Sequence, residues 1–187
     1  MLGHSSQDNI QDEETLVGQL SIRGVRHLRV RTEHSVEATL SDETLIAALA
    51  SHPEPRLREA LIALFLLQPE YAPIVGRLST SLTPPADLVL RHLYTASVYL
   101  QRLWRGTLGL YMGQFQLLPD YFGRLYFGLP EPQEDFGEAG LRALAERFNA
   151  ETGEDWLSVY EGVMHLVLEQ LRLEAEAKEA LPAMNLA

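Results

Sequence analysis

His165 has a glutamate one helical turn away on each side, Glu161 before it and Glu169 after it. On a helix these three side chains form a single column, because residues four apart share a face. Such a column could hold a divalent cation or carry out acid–base chemistry. Its spacing differs from the HExxH of zinc proteases and the ExxH of di-iron bundles. The column therefore has two interpretations: it is a candidate metal site, or it is a solvated helix edge.

A stretch rich in aromatic residues is the second candidate. Nine Tyr, Trp and Phe residues fall between positions 94 and 127, and His92 lies just before them. These side chains could line a small-molecule pocket or form a docking face for a protein. They could equally be large core residues, since aromatic side chains are usually buried. The candidate ligand- or partner-binding residues are His92, Tyr94, Tyr99, Trp104, Tyr111, Tyr121, Phe122 and Tyr126.

Arginines and carboxylates are unevenly distributed along the chain. Arg23, Arg26, Arg29 and Arg31 form a basic cluster that could contact nucleic acid or an acidic partner, or pair with acidic residues of this chain. The net charge of −11 argues against binding nucleic acid along a whole face. Residues 132–187 hold twelve acids and four bases, so we expect them to face a basic surface, either on a partner or on the arginine cluster.

The chain lacks the sequence motifs of several enzyme classes. The chain has no GxSxG nucleophile elbow, no cysteine and neither of the glycine-rich phosphate loops. These absences argue against a hydrolase of that type, a kinase, an NTPase or a Rossmann dehydrogenase, and no cofactor is indicated. The first twenty residues do not resemble a signal peptide, and no apolar run reaches the roughly 20 residues that span a bilayer. We therefore expect a cytoplasmic protein with no membrane contact.

Periodicity indicates which elements position these residues. Residues 1–14 are polar and aperiodic, which predicts a mobile tail. In the arm, residues 15–40, apolar and polar residues alternate, which favours short β-strands over a frayed helix. Residues 41–175 carry apolar stripes at helical spacing and predict five to seven helices, and 176–187 form a C-terminal tail. The predicted fold class is mainly all-α, an irregular helical bundle with an N-terminal arm.

Residues 45–68 resemble a single HEAT-type repeat. The segment LIAALASHPEPRLREALIALFLL has a short helix, a proline-bearing turn, an arginine early in the second helix and then an apolar helix. HEAT repeats stack into protein-binding solenoids, so the resemblance implies a helical hairpin suited to protein contacts. No clear second copy follows at the expected period of about 40–47 residues.

A second resemblance involves SHPEPRLREALIALFLLQPEYA, LYTASVYLQRLW, LRALAERFN and WLSVYE. Together these segments are similar to uncharacterised bacterial proteins that accompany small nucleotidyltransferases in toxin–antitoxin pairs. The resemblance implies a partner protein rather than a stand-alone enzyme. Our leading hypothesis is a non-catalytic protein-interaction module that binds another protein, one with a basic surface, or a second copy of itself. The alternative is a small-molecule-binding regulatory or enzymatic helical domain built around His92, Tyr94, Tyr99 and Trp104.

Overall fold

The structure is a computed structural model that describes residues 4–28 and 39–184. Within these residues the chain forms eight α-helices and no strand, so the mainly helical fold class is confirmed. Seven of the helices begin between residues 41 and 175, within the predicted range of five to seven. The helices are α1 His4–Ile22, α2 Asp42–Ser51, α3 Pro55–Leu67, α4 Ala72–Ser81, α5 Ala86–Leu103, α6 Arg105–Met112, α7 Glu138–Thr152 and α8 Trp156–Met184.

The chain divides into two compact units, residues 1–94 and 95–187, which we call unit 1 and unit 2. The division falls inside α5, so each unit contains part of that helix. Unit 1 also contains α1 to α4, and unit 2 contains α6 to α8 together with the irregular segment 113–133 and a 3-10 turn, Glu134–Gly137. Most of the aromatic candidates therefore belong to unit 2.

The hairpin of α2 and α3 forms where the sequence predicted it. Ser41 caps α2, since its hydroxyl accepts a hydrogen bond from the Thr44 N–H at 3.1 Å. At the other end of α2, Arg58 donates to the carbonyl oxygens of His52 and Pro53, both at 3.0 Å. Carbonyls at a helix C-terminus have no partner within the helix, so the early arginine of α3 satisfies the end of α2. Eight residues of α3 are buried, and this helix is the centre of the core of unit 1.

Arg23 of the arginine cluster is held inside unit 1. Its side chain is largely buried, donates to Asp42 Oδ1 at 2.7 Å and to the Leu40 carbonyl at 2.6 Å, and also bonds Gln19. Arg23 thus ties the end of α1 to the start of α2, and its partner is Asp42 rather than the acidic C-terminal third. Arg26 is exposed, and Arg29 and Arg31 lie outside the described residues.

The two termini differ from the sequence-based expectation. Most of the predicted mobile tail lies in α1, which also includes Leu20 and Ile22, two residues of the strand-like alternation. Leu16, Val17 and Leu20 are buried, and this spacing on one helical face explains why the helix forms there. The later alternating residues, Val30, Val36 and Ala38, lie outside the described residues. At the C-terminus α8 continues to Met184, through most of the segment predicted to be a tail.

In unit 2 a single residue separates α5 from α6. Trp104 has non-helical dihedral angles, φ −103° and ψ 15°, so α5 ends before it and α6 begins after it. The helices α7 and α8 meet at Gly153, whose φ of +77° closes α7. The corner is fixed by Asn149 Oδ1, which accepts from the Trp156 N–H at 2.8 Å, and by Thr152 Oγ1, which accepts from the Trp156 indole at 2.9 Å.

Candidate interaction surface

Three of the four residues proposed for a small-molecule pocket are core residues, and the fourth, Trp104, is half-buried. His92, Tyr94 and Tyr99 are at most 3% exposed. Burial lowers the pKa of His92 to about 3, so its imidazole is neutral at physiological pH. In unit 1 the ring of Tyr94 packs edge-on against Phe65, with centroids 5.3 Å apart. A ligand would have to open the core to reach these side chains, so the structure favours the core interpretation for all three.

Unit 1 does carry an open groove of about 500 Å³ on its surface. It is lined by Thr44, Ala47, Ala48, Ser51 and Leu78, with Glu43 at its edge. Glu43 is engaged by Arg77 at 2.5 Å, which leaves the groove without converging charged groups. No aromatic residue of the candidate set lines it. The groove therefore does not correspond to the predicted aromatic pocket.

Tyr99 fastens the irregular segment of unit 2 to α5. Its hydroxyl donates to the Pro130 carbonyl at 2.5 Å. Burial and the nearby carboxylate of Asp120 raise the pKa of the Tyr99 phenol, so it remains a neutral donor. Gly140 makes room for the ring, since a methyl group there would overlap it, and a methyl group on Gly123 would lie 2.8 Å from the hydroxyl. Tyr99 therefore holds the irregular segment in place against α5.

The side chain of Gln101 holds the same segment a few residues earlier. Gln101 is fully buried, donates to the Gln116 carbonyl at 3.0 Å and accepts from the Leu118 N–H at 2.7 Å. Arg102 donates to the Leu118 carbonyl at 2.8 Å. A segment without regular secondary structure needs such partners for its backbone groups when it is buried. Polar side chains of α5 thus fix the path of the segment.

Residues 120–129 form a short turn that is closed at both ends, which we call the capped turn. At its start, Asp120 Oδ1 accepts from the Gly123 N–H at 2.6 Å and Oδ2 from the Arg124 N–H at 3.2 Å. At its end, Gly128 has φ +69° and donates to the Arg124 carbonyl at 3.2 Å, while the Leu129 N–H donates to the Gly123 carbonyl at 2.8 Å. The bond from Gly128 to Arg124, with the glycine in the left-handed conformation, is the αL motif found at helix C-termini. The capped turn is therefore held by its own hydrogen bonds.

The capped turn buries some apolar side chains and exposes others. Phe122 and Phe127 are buried, and the ring of Phe127 packs against Phe148 of α7, with centroids 5.8 Å apart. Leu125 is 87% exposed and Tyr126 48% exposed, and Tyr121 is also exposed. The two phenylalanines thus attach the turn to unit 2, and Leu125 and Tyr126 face the solvent.

A second turn leads directly into α7 and has an unusual backbone. Asp135, Phe136 and Gly137 have φ values of +48°, +54° and +93°, so three successive residues are in the left-handed region. That conformation costs a residue with a Cβ atom about 1–2 kcal/mol, and asparagine or aspartate tolerates it better than phenylalanine. The side chain of Phe136 is 78% exposed. Its burial therefore does little to offset the strain of its backbone.

The Glu161–His165–Glu169 column does not form a metal site. In the part of the chain that the structure describes, no three His, Asp or Glu side chains are placed to hold a metal ion. Glu169 instead accepts two hydrogen bonds from Arg172, at 3.0 and 2.6 Å, which lower the pKa of its carboxyl group. His165 faces the ring of Trp104, with centroids 6.4 Å apart. All three side chains of the column are exposed on α8.

The remaining candidates divide between core and surface. Phe122 is buried and Trp104 is half-buried, whereas Tyr111, Tyr121 and Tyr126 are exposed. The sequence analysis did not single out Leu125 or Phe136, the exposed apolar residues of the two turns. A signal for the first was present, because Asp120 three residues before Gly123, with Gly128 beyond, is typical of a capped helical turn.

Comparisons with protein-family models, with curated proteins and with solved structures found no match for this chain. Within the described residues, no single helix has the length and apolar composition needed to cross a membrane. The segments Pro55–Leu67 and Pro69–Ser81 satisfy that criterion only when taken together, as a pair bent by 106°.

Proposed function

We propose that this chain is a non-catalytic protein-interaction module whose contact surface lies in unit 2 and is centred on the capped turn. The observation that carries the proposal is the 87% exposure of Leu125 on a turn whose two ends are both fixed by hydrogen bonds. A rigid backbone that presents apolar side chains loses little conformational entropy when a partner covers them. Exposed tyrosines nearby, Tyr121 and Tyr126, are of the residue type that concentrates energy at protein interfaces.

The alternative, a small-molecule-binding domain, finds less support. It depends on a pocket lined by His92, Tyr94, Tyr99 and Trp104, of which the first three are buried and Trp104 is half-buried. Protein contacts need no pocket on this chain, only an apolar surface with shape and charge that match the partner. The interaction module is therefore the function that we put forward.

The charge of the chain supports a partner with a basic surface. The net charge is −11, and residues 132–187 hold twelve acids against four bases. Electrostatic complementarity mainly speeds association, and salt weakens it. In its narrower form, the partner would be a nucleotidyltransferase, with this chain acting like an antitoxin. The resemblance described in the sequence analysis is the support for that form.

The proposal is tested by capture from the native host with the full-length tagged chain, at 50 mM and 500 mM salt, and mass spectrometry of the bound proteins. The decisive variant is the double substitution Leu125→Ser with Tyr126→Ser, which removes apolar surface without adding charge. Leu110→Ser is the matched control, because Leu110 is 82% exposed but lies on α6, outside the capped turn. We expect Leu110→Ser to change stability by less than about 0.5 kcal/mol. The double variant also loses the edge contact between the rings of Tyr126 and Phe127, whose centroids are 4.9 Å apart, so we expect it to lose about 1 kcal/mol.

The expected result is a bound protein that is lost with the double variant and retained with the Leu110→Ser control. Binding that is stronger at low salt would support a basic partner, and recovery of a nucleotidyltransferase would support the narrower form. The proposal fails when the same proteins bind the double variant and the wild type, or when the wild type is monomeric and captures nothing.

A further inference from the structure

The fold fixes the backbone of Phe136 but does not bury its side chain. The chain passes close to α5 at Gly137, where an added methyl group would lie 2.7 Å from the Tyr99 carbonyl oxygen and 3.1 Å from Arg102 Cβ. One residue later α7 begins. The path between these two fixed points holds Asp135 and Phe136 in the left-handed region, which is how strained conformations persist in proteins.

The residue type at this position is not explained by the stability of the chain itself. Glycine or asparagine would adopt the left-handed conformation more easily than phenylalanine. A phenylalanine side chain is normally retained because it is buried, but this one is 78% exposed. The explanation that remains is a contact outside the chain, in which the strained backbone holds the ring in a defined direction.

Two acidic residues lie next to Phe136 in the chain. Glu134 and Asp135 precede Phe136 directly and are exposed, and no ion pair involving either carboxylate is found within the described residues. The next carboxylates on either side are engaged, Glu131 by Arg124 at 2.6 Å and Glu138 by Arg142 at 2.7 Å. Two exposed carboxylates, with no ion pair in the described part of the chain, therefore directly precede the exposed ring.

This charge pattern indicates which kind of surface would contact Phe136. A two-fold dimer of the chain would bring this acidic surface against itself, since residues 132–187 carry twelve acids and four bases. Like charges placed together in an interface are strongly unfavourable. A surface with basic groups around an apolar depression would match both features, the ring and the carboxylates.

Building on the proposed function, we propose that Phe136 is the anchor that inserts into an apolar pocket of the partner protein, and that lysine or arginine side chains at the rim of this pocket face Glu134 and Asp135. Buried aromatic anchors dominate the binding energy of many interfaces. The backbone of this anchor is already fixed before binding, which reduces the entropy lost on association.

The first test needs no partner and measures thermal unfolding of Phe136→Asn. Asparagine tolerates the left-handed conformation, so the unfolding midpoint should stay the same or rise by about 2 °C, as relief of a small strain predicts for a chain of this size. A fall of several degrees would show that the ring stabilises unit 2 itself, and it would overturn the proposal.

The second test identifies what the ring contacts. The full chain is produced in its native host with p-benzoylphenylalanine at position 136, is photo-crosslinked, and the adduct is mapped by mass spectrometry. The same amino acid at position 110 of α6 is the matched control. We expect position 136 to crosslink to another protein at an apolar site with lysine or arginine beside it. An adduct with a second copy of this chain, or no adduct specific to position 136, would overturn the proposal.

The crosslinked protein is then purified for affinity measurements. Phe136→Asn should weaken its binding at least tenfold, and Glu134→Gln with Asp135→Asn should weaken it severalfold at 50 mM salt but little at 500 mM. Unchanged affinity of Phe136→Asn, combined with loss of binding by the Leu125→Ser and Tyr126→Ser variant, overturns this inference and leaves the proposed function standing. Unchanged affinity of both variants overturns the two together.

Discussion

The aromatic residues of α5 and those of the segment 120–137 lie close together in the sequence but are used in opposite ways. Tyr94 and Tyr99 on α5 are fully buried, whereas Tyr126 and Phe136 in the segment are half or largely exposed. The helix is positioned by burying its apolar side chains. The segment is positioned largely by polar contacts, from Asp120, Gln101 and the hydroxyl of Tyr99. A backbone fixed by hydrogen bonds therefore leaves apolar side chains available for contacts with other molecules.

The largest loss of stability is expected from a substitution of Gly140 on α7, which borders the buried ring of Tyr99. In Gly140→Ala the new methyl group would overlap the ring of Tyr99, which is fully buried and cannot move aside without disturbing the core. Overpacking of this kind typically costs 1–3 kcal/mol, and we expect about 3 kcal/mol here. The free energy of unfolding measured in urea gives the value.

Gly162→Ala is the matched control on α8. Nothing lies within 4 Å of the added methyl group, so the higher helix propensity of alanine should stabilise the chain by about 0.5–1 kcal/mol. Equal effects of the two substitutions would contradict the view that Tyr99 fills the space beside Gly140.

A smaller loss is expected from Gln101→Leu, which removes the polar support of the segment. The Gln116 carbonyl and the Leu118 N–H would lose their partner, and a buried group without a hydrogen bond costs about 1–3 kcal/mol. We expect a loss of about 2 kcal/mol in the free energy of unfolding. Gln133→Leu, at an exposed position, serves as the control and should change this energy by less than about 0.5 kcal/mol. A Gln101→Leu variant as stable as this control would show that the segment is held by its apolar residues instead.

Local signals in the sequence were enough to predict much of the helical fold. The cap at Ser41 and the prolines at positions 53 and 55 mark the hairpin of α2 and α3, and the structure has both helices there. The apolar residues of α5 recur three and four positions apart, which is the spacing of a packed helix. The interruption at Trp104 was not predicted, because no proline or glycine marks that residue and the apolar spacing continues through it.

The candidate surface was less predictable, because interactions between distant residues define it. Gln101 bonds the backbone at Leu118, seventeen residues further on, and Tyr99 bonds Pro130, thirty-one residues further on. A helical pattern predicts which face of α5 is buried, but it does not predict which residues contact that face. The turn that carries Leu125 has a local signal in Asp120, Gly123 and Gly128, whereas the left-handed backbone at Phe136 has none.

The smallest expected change in stability concerns His92. It tests whether water reaches the buried side chains of α5. Burial lowers the pKa of His92 to about 3, from an ordinary value of 6.5 in the unfolded chain. Between these two values the unfolded chain binds a proton that the folded chain does not, so the free energy of unfolding falls as the pH is lowered below 6.5. The expected loss is about 1 kcal/mol between pH 7 and pH 5.5, measured by urea unfolding at both values. In His92→Gln this part of the pH dependence should disappear, whereas the part due to His27, whose pKa burial also lowers, should remain. An unchanged pH dependence in His92→Gln would mean that water or a compensating charge reaches this side chain, and that the helix is less closed than its burial indicates.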